Sequence, residues 1–190
     1  MDQLSLDRIE TLHPKWRDTV RQAYLEANNK LGKGARLRIS YATRTNEVQA
    51  ALYAQGRSTL AEINRLRKIA GMNPIDAVEA KKVVTNAKPG QSFHNEGLAF
   101  DIVILYDNDG NGSFEEPSWN TVKDFDKDGM ADWLEVTQVF TKYKFQNGFM
   151  KNGKKWDLPH FQYTFGYTIN QLQEKRKKKD FIPGTNFVNI

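Results

Sequence analysis

His94 and Asp101, with six residues between them, and a distant His160 are the side chains best suited to hold a divalent metal. Imidazole nitrogen and carboxylate oxygen are both zinc donors. Two histidines with one carboxylate leave a fourth tetrahedral position open, as a catalytic rather than a structural zinc requires. A metal held this way lowers the pKa of water to about 7 and makes hydroxide available at neutral pH. The chain has no cysteine, which excludes both a thiolate site and a disulfide framework. Any metal must therefore use His, Asp or Glu, and the histidines are only His13, His94 and His160. Spacing alone leaves the plainer alternative open, that each histidine is a satisfied core or surface residue. Asp101 counts against it. It interrupts a nearly continuous apolar run from Gly97 to Leu105, where a charge is costly unless a cation answers it.

A second chemistry lies further on. Asp124, Asp126, Asp128, Gly129, Asp132 and Glu135 fit a calcium loop of the EF-hand type at positions 1, 3, 5, 6, 9 and 12, with Met130 offering its carbonyl at position 7. The alternative is an acidic surface turn, the weaker reading of a complete signature. An earlier stretch repeats the pattern with Asp107, Asp109, Asn111, Gly112, Ser113 and Glu115, but its twelfth residue is Ser118, which has no carboxylate; Glu116 lies close. Calcium is thus an expected cofactor, and zinc a candidate one on His94, Asp101 and His160.

The elements that must position these residues are legible in outline. Trp16, Val20, Ala23, Tyr24 and Ala27 recur at helical spacing, predicting a helix from about Pro14 to Leu31. Leu37 to Tyr41 alternates as a strand does. Asn46 is expected to cap a helix running to Gln55 and stopped by Gly56, and a second helix is expected from Thr59 to Ala70. Pro74 fits the first turn of a further short helix, and Thr85 to Ser92 reads as a loop. Gly97 to Leu105 is expected to be a buried central strand, Asp132 to Tyr143 a helix, and Leu158 to Tyr163 a strand. A last helix is expected from Ile169 to Lys179, followed by a loosely held end.

At 190 residues the chain is long enough for one domain with a real core, here with an acidic-loop insert at about 107–135. The N-terminus, MDQLSLDRIETLHPKW, lacks the apolar segment of a secretory signal, and no apolar run is long enough to span a membrane. The formal charge is +5, much of it in the run Lys175 to Lys179. Such a run either attracts polyanions, a carboxylate- and phosphate-rich wall among them, or is simply a solvated helix face.

Three segments carry a resemblance to a known family. VTNAKPGQSFHNEGLAFDIV, with WDLPHFQ downstream and RTNEVQAALYAQGR upstream, is similar to the VanX/VanY-type (D-alanyl-D-alanine carboxypeptidase) zinc peptidases. It most resembles their L-alanyl-D-glutamate endopeptidase branch of phage endolysins and autolysins. The likeness covers about residues 12 to 168. It implies an α+β fold, hedgehog/D-Ala-D-Ala peptidase-like, with a small antiparallel sheet carrying the zinc site and helices outside. It implies zinc on His94, Asp101 and His160, with Asp157 as the carboxylate that moves protons between water and leaving amine. Arg44 would stabilise the developing oxyanion. The family's Gly-Tyr-Arg context is replaced here by Ala42-Thr43-Arg44. Ser92 and Gln49 would touch substrate or support the ligands, and His13 would be structural. The implied substrate is the peptidoglycan stem peptide, acted on by a monomer with no nucleic-acid partner and no membrane insertion. The expected route to the wall is release through a phage holin pore, with a cytoplasmic recycling enzyme as the alternative. A D,D-carboxypeptidase or D-Ala-D-Ala dipeptidase of the same fold is the second reading. A non-catalytic calcium-binding wall module is the third, and it would need neither Asp157 nor Arg44.

Overall fold

The computed structural model describes residues 2–147 and 157–190. Trp156 of the downstream motif lies outside them. The chain divides into two compact units, one of Met1–Ala42 with Ala99–Tyr163 and the other of Thr43–Leu98 with Thr164–Ile190.

The first unit is built on β2 (Ala99–Tyr106), which is buried along nearly its whole length, as its apolar run predicts. One edge of β2 pairs with β1 (Ala35–Tyr41), whose buried Ala35, Leu37 and Ile39 show the expected alternation. The other edge pairs with β5 (His160–Gln162) near the start of β2 and with β3 (Glu116–Ser118) at its end. β4 (Gln146–Asn147) extends the sheet beyond β5, and every pairing is antiparallel. β5 is shorter than the predicted Leu158–Tyr163, and neither β3 nor β4 is visible in the sequence pattern. The helix α2 (Arg17–Lys30) buries Val20, Ala23, Tyr24 and Ala27, the face predicted for it. α5 (Asp132–Lys142) buries Trp133, Val136, Val139 and Phe140. An N-terminal helix that the periodicity did not announce, α1 (Gln3–Glu10), is capped by Asp2, which accepts from the Ser5 amide. The same carboxylate takes both arms of Arg38 on β1 at 3.0 Å, tying α1 to the sheet.

An aromatic cluster of Trp16, Phe100, Phe140, Phe145 and Phe161 forms the core of this unit, with Phe140 meeting Phe161 edge-on at 4.7 Å and Phe100 stacked on Phe161 at 5.8 Å. Burying each ring contributes about 1.5–3 kcal/mol. Phe100 and Phe161 are direct partners in the β2–β5 register, and so are their neighbours Asp101 and His160. Successive strand residues face opposite sides of a sheet. Committing the two phenylalanines to the core therefore commits Asp101 and His160, side by side, to the other face.

In the second unit, α3 (Asn46–Ala54) and α4 (Leu60–Ile69) are capped by Thr45 and Thr59, whose hydroxyls accept from Val48 and Glu62 amides at 3.2 Å. Thr45, not Asn46, is thus the cap, and Asn46 is the first helical residue. The helix expected at Pro74 is absent. Asp76 accepts from the amides of Val78 and Glu79, a local bond that competes with helix, and only a 3₁₀ turn at Glu79–Lys81 follows. Ala54, Ile63 and Ala80 form a small core there. α6 (Ile169–Lys177) opens with a Thr168/Gln171 capping box and stops short of the expected Lys179. The end of the chain is not loosely held. Val188 is fully buried with Leu98 and Leu172, and it bridges Phe181. The architecture is α+β, a small open antiparallel sheet with helices against it. Among the described residues no helix is long and apolar enough to cross a membrane.

Candidate metal centre

In the first unit Asp101 and His160 meet across the β2–β5 ladder, with His160 Nδ1 3.2 Å from Asp101 Oδ1. Two ligands at zinc distances in a tetrahedral shell stand roughly 3.3 Å apart. The pair is therefore spaced as two ligands of one ion. The other ring nitrogen, Nε2, lies 2.9 Å from Gln162 Oε1. An amide oxygen can only accept, so the bond places a proton on Nε2 and makes Nδ1, which faces Asp101, the nitrogen that would bind a metal once its own proton is lost. This is how an acceptor behind the ring fixes the metal-binding tautomer. Gln162 was missed in the sequence, although its spacing of two from His160 puts it on the same face of the strand. Burial opposes protonation of His160, but the hydrogen bond and charge of Asp101, aided by Gln162 and Asp157, outweigh it and raise the pKa above the ordinary histidine value. Asp157 is exposed on the turn before β5, where its carbonyl accepts from the His160 amide at 3.2 Å.

In the second unit His94 is buried inside a four-residue 3₁₀ turn, Phe93–Glu96. Such turns are weak by themselves, and this one is held at several points. Ser92 caps it, its hydroxyl accepting from the His94 amide at 3.3 Å, so the expected substrate or support residue serves as the N-cap. Gly97 closes the turn at φ +68°, a left-handed conformation that favours glycine. The Arg44 amide donates to the His94 carbonyl at 3.0 Å, and Asn95 Nδ2 donates to the Arg44 carbonyl at 2.9 Å. Arg44 and His94 are thus fastened together through their backbones. Gln49, fully buried, donates to the Ala87 carbonyl at 2.8 Å and to Thr85, so it secures the loop ahead of the turn. His13 is also fully buried, accepting from the Lys15 amide at 3.2 Å, in keeping with a structural role.

The sequence reading also missed Glu96. Its carboxylate is 1% exposed and receives both arms of Arg176 from α6, at 3.2 and 2.6 Å. Gln173, on the same helix, donates to the Gly90 carbonyl at 2.8 Å. The basic run is therefore largely engaged within the protein: Arg176 with Glu96, Lys175 with Asp180, Lys177 with Glu174.

The acidic stretch enters α5 at Asp132. Asp124, Asp126 and Asp128 bring one oxygen each within 4.8 Å of one another. Gly129 at φ +96° supplies the sharp bend, and its amide donates to Asp124 at 3.0 Å. Asp132, the expected ninth position, is bonded on both oxygens. One oxygen accepts from the Tyr106 hydroxyl of β2 and the other from the Phe125 amide, so its carboxylate ties the loop to the sheet. Burial, then Asp128, Asp126 and Asp132, push Glu135 up to about 7. In the earlier stretch the Gly112 amide likewise donates to Asp107, at 2.9 Å, but the chain then runs into β3, where Ser118 pairs with Ile104.

The α+β fold and the Asp101–His160 pair define a class, and comparison with known proteins agrees. The family model described as D-alanyl-D-alanine carboxypeptidase matches residues 85–163, and the chain belongs to the peptidase M15 family. A relative, the peptidoglycan L-alanyl-D-glutamate endopeptidase CwlK of Bacillus subtilis (strain 168), is 30% identical over 152 residues, covering 80% of this chain and 72% of that protein.

Proposed function

We propose that this chain is a zinc-dependent peptidoglycan hydrolase that cuts stem peptides as an L-alanyl-D-glutamate endopeptidase. The Asp101–His160 pair, spaced as two zinc ligands and lying inside the segment matched by the family, carries the reading. His94, Asp101 and His160 would hold the ion; two imidazoles and one carboxylate suit zinc and leave a position open. Zinc supplies Lewis acidity there, polarising a carbonyl and making hydroxide available near neutral pH. Gln162 keeps the His160 proton on Nε2. Asp157 takes a proton from the attacking water and delivers it to the departing amine, a step suited to an exposed carboxylate on the turn that leads into His160. Arg44, anchored by its backbone to the His94 turn, presents a fixed positive charge to the oxyanion that forms at the scissile carbonyl.

The endopeptidase activity named for the Bacillus relative supports this bond specificity. A second reading, a D,D-carboxypeptidase, is favoured by the description of the matching family model. Mass spectrometry of purified peptidoglycan after digestion separates them. New N-terminal D-glutamate is expected; release of free D-alanine alone would move the assignment to the second reading, and an unaltered digest would reject both. Calcium dependence of this activity belongs to the same proposal, because both acidic stretches lie along the chain between β2, with Asp101, and β5, with His160. Turnover unchanged by calcium chelation, with zinc kept saturating, counts against it.

A further inference from the structure

We infer that the loop from Asp124 to Glu135 is a single calcium site whose direct ligands are Asp124, Asp126, Asp128, the Met130 carbonyl and Glu135, with Asp132 serving as a tether to the sheet and not as a ligand. Three observations converge. The first is the spacing of the carboxylates, with Asp124, Asp126 and Asp128 brought within reach of one ion. The second is Glu135, which is 5% exposed, and whose Oε2 is buried with no hydrogen-bond partner among the described residues. A buried carboxylate oxygen without a donor carries its full desolvation cost. The carboxylates whose charge acts most strongly on it are those of Asp128, Asp126 and Asp132, all within the loop. The third is Asp124, whose Oδ1 is likewise buried without a partner, while its Oδ2 accepts from Gly129. A cation in the loop answers both orphaned oxygens at once.

The chemistry selects the ion. Four carboxylates and a carbonyl form an all-oxygen set, and Glu135 at the twelfth position can bind through both oxygens. Calcium accepts six to eight such ligands in flexible geometry, whereas magnesium holds its waters and a strict octahedron. Asp132 is assigned to the tether because each of its oxygens already accepts a bond, from Tyr106 and from Phe125, whereas Asp124 Oδ1 and Glu135 Oε2 accept none among the described residues. The earlier stretch does not qualify. Its twelfth residue, Ser118, lies in β3 and has no carboxylate to close the shell. This site stands whether or not the chain hydrolyses peptidoglycan.

The test is isothermal titration of calcium into the whole zinc-loaded chain after calcium has been removed. One calcium per chain is expected, with 1 mM magnesium failing to displace it. Glu135→Gln should weaken binding at least about 100-fold, since it removes the closing ligand. It should fold, because it removes a buried charge. Asp107→Asn should leave affinity and stoichiometry unchanged. Asp132→Asn should weaken calcium only a few-fold while lowering the melting temperature. No heat at millimolar calcium would overturn the site. Equal affinity in Glu135→Gln would overturn the ligand set, as would an Asp132→Asn loss as deep as that of Glu135→Gln. Two equivalents falling to one in Asp107→Asn would overturn the claim of a single site.

Discussion

Replacing Arg176 by Met is the sharpest probe of what holds His94 in place. Glu96 is 1% exposed, while its partner is 38% exposed, so losing the guanidinium leaves an acid in the interior with one solvated side. Breaking a buried pair costs about 3–5 kcal/mol, and water reaching the vacated side puts this case near about 3. For a chain of this length that corresponds to a fall in melting temperature of about 6–12 °C. Glu96→Gln should cost only about 1 kcal/mol, because the freed guanidinium can be hydrated. The double variant should then be less destabilised than the sum of the singles, by about 2 kcal/mol. Urea unfolding of the zinc-loaded protein measures all three. Chelator competition should also show zinc held about tenfold more weakly in Arg176→Met, as when other groups behind a ligand are lost. Arg176→Lys keeps the charge but not the fork and should recover only part of both losses. An Arg176→Met protein unfolding within about 0.5 kcal/mol of wild type, the range of ordinary surface changes, would refute the reasoning.

Asp157→Ala should lower turnover about 10²–10⁴-fold, the usual weight of a proton-transfer group, while zinc content measured by atomic absorption stays the same. Gln162→Leu removes the acceptor that fixes the His160 tautomer and should weaken zinc about 10–100-fold in a chelator titration. Tyr106→Phe strips a donor from buried Asp132 and should cost about 1–3 kcal/mol in urea, independently of zinc. The folded pKa of Glu135 lies near 7 against an ordinary 4.5, so the ion-free folded state binds the extra proton. The stability tied to this group is present below 4.5 and lost as pH rises through about 7. Glu135→Gln should flatten that slope, and an identical pH profile for both proteins in chelator would count against it.

The sheet face that carries Asp101 and His160 was legible because its signal is chemical as well as periodic. An aspartate inside the apolar run of β2 has few explanations, and the structure sets it beside His160. α2 was legible because a full apolar stripe recurs from Trp16 to Ala27. What stayed hidden has a common cause. β3 and β4 are too short for alternation to register, and α1 depends on Asp2 reaching Arg38, a partner 36 residues away. Thr45 and Asn46 are both good caps, so only backbone geometry chooses between them. Pro74 carries a helix-start signal that Asp76 defeats locally. Lys175, Arg176 and Lys177 look alike in sequence, yet one of the three holds a buried carboxylate 80 residues back, which no local pattern reports.

That separation has a consequence for synthesis. A ribosome adding about 5–20 residues per second needs roughly 4–16 s to go from Glu96 to Arg176, and Val188 emerges later still. Until then the His94 turn lacks its ion pair and the cover over Leu98, while β1 and β2 can already have paired. On the proposed ligand set, a nascent chain would stay without a finished His94 turn until α6 and the segment behind it have been made, which would delay metal capture to the last stage of translation.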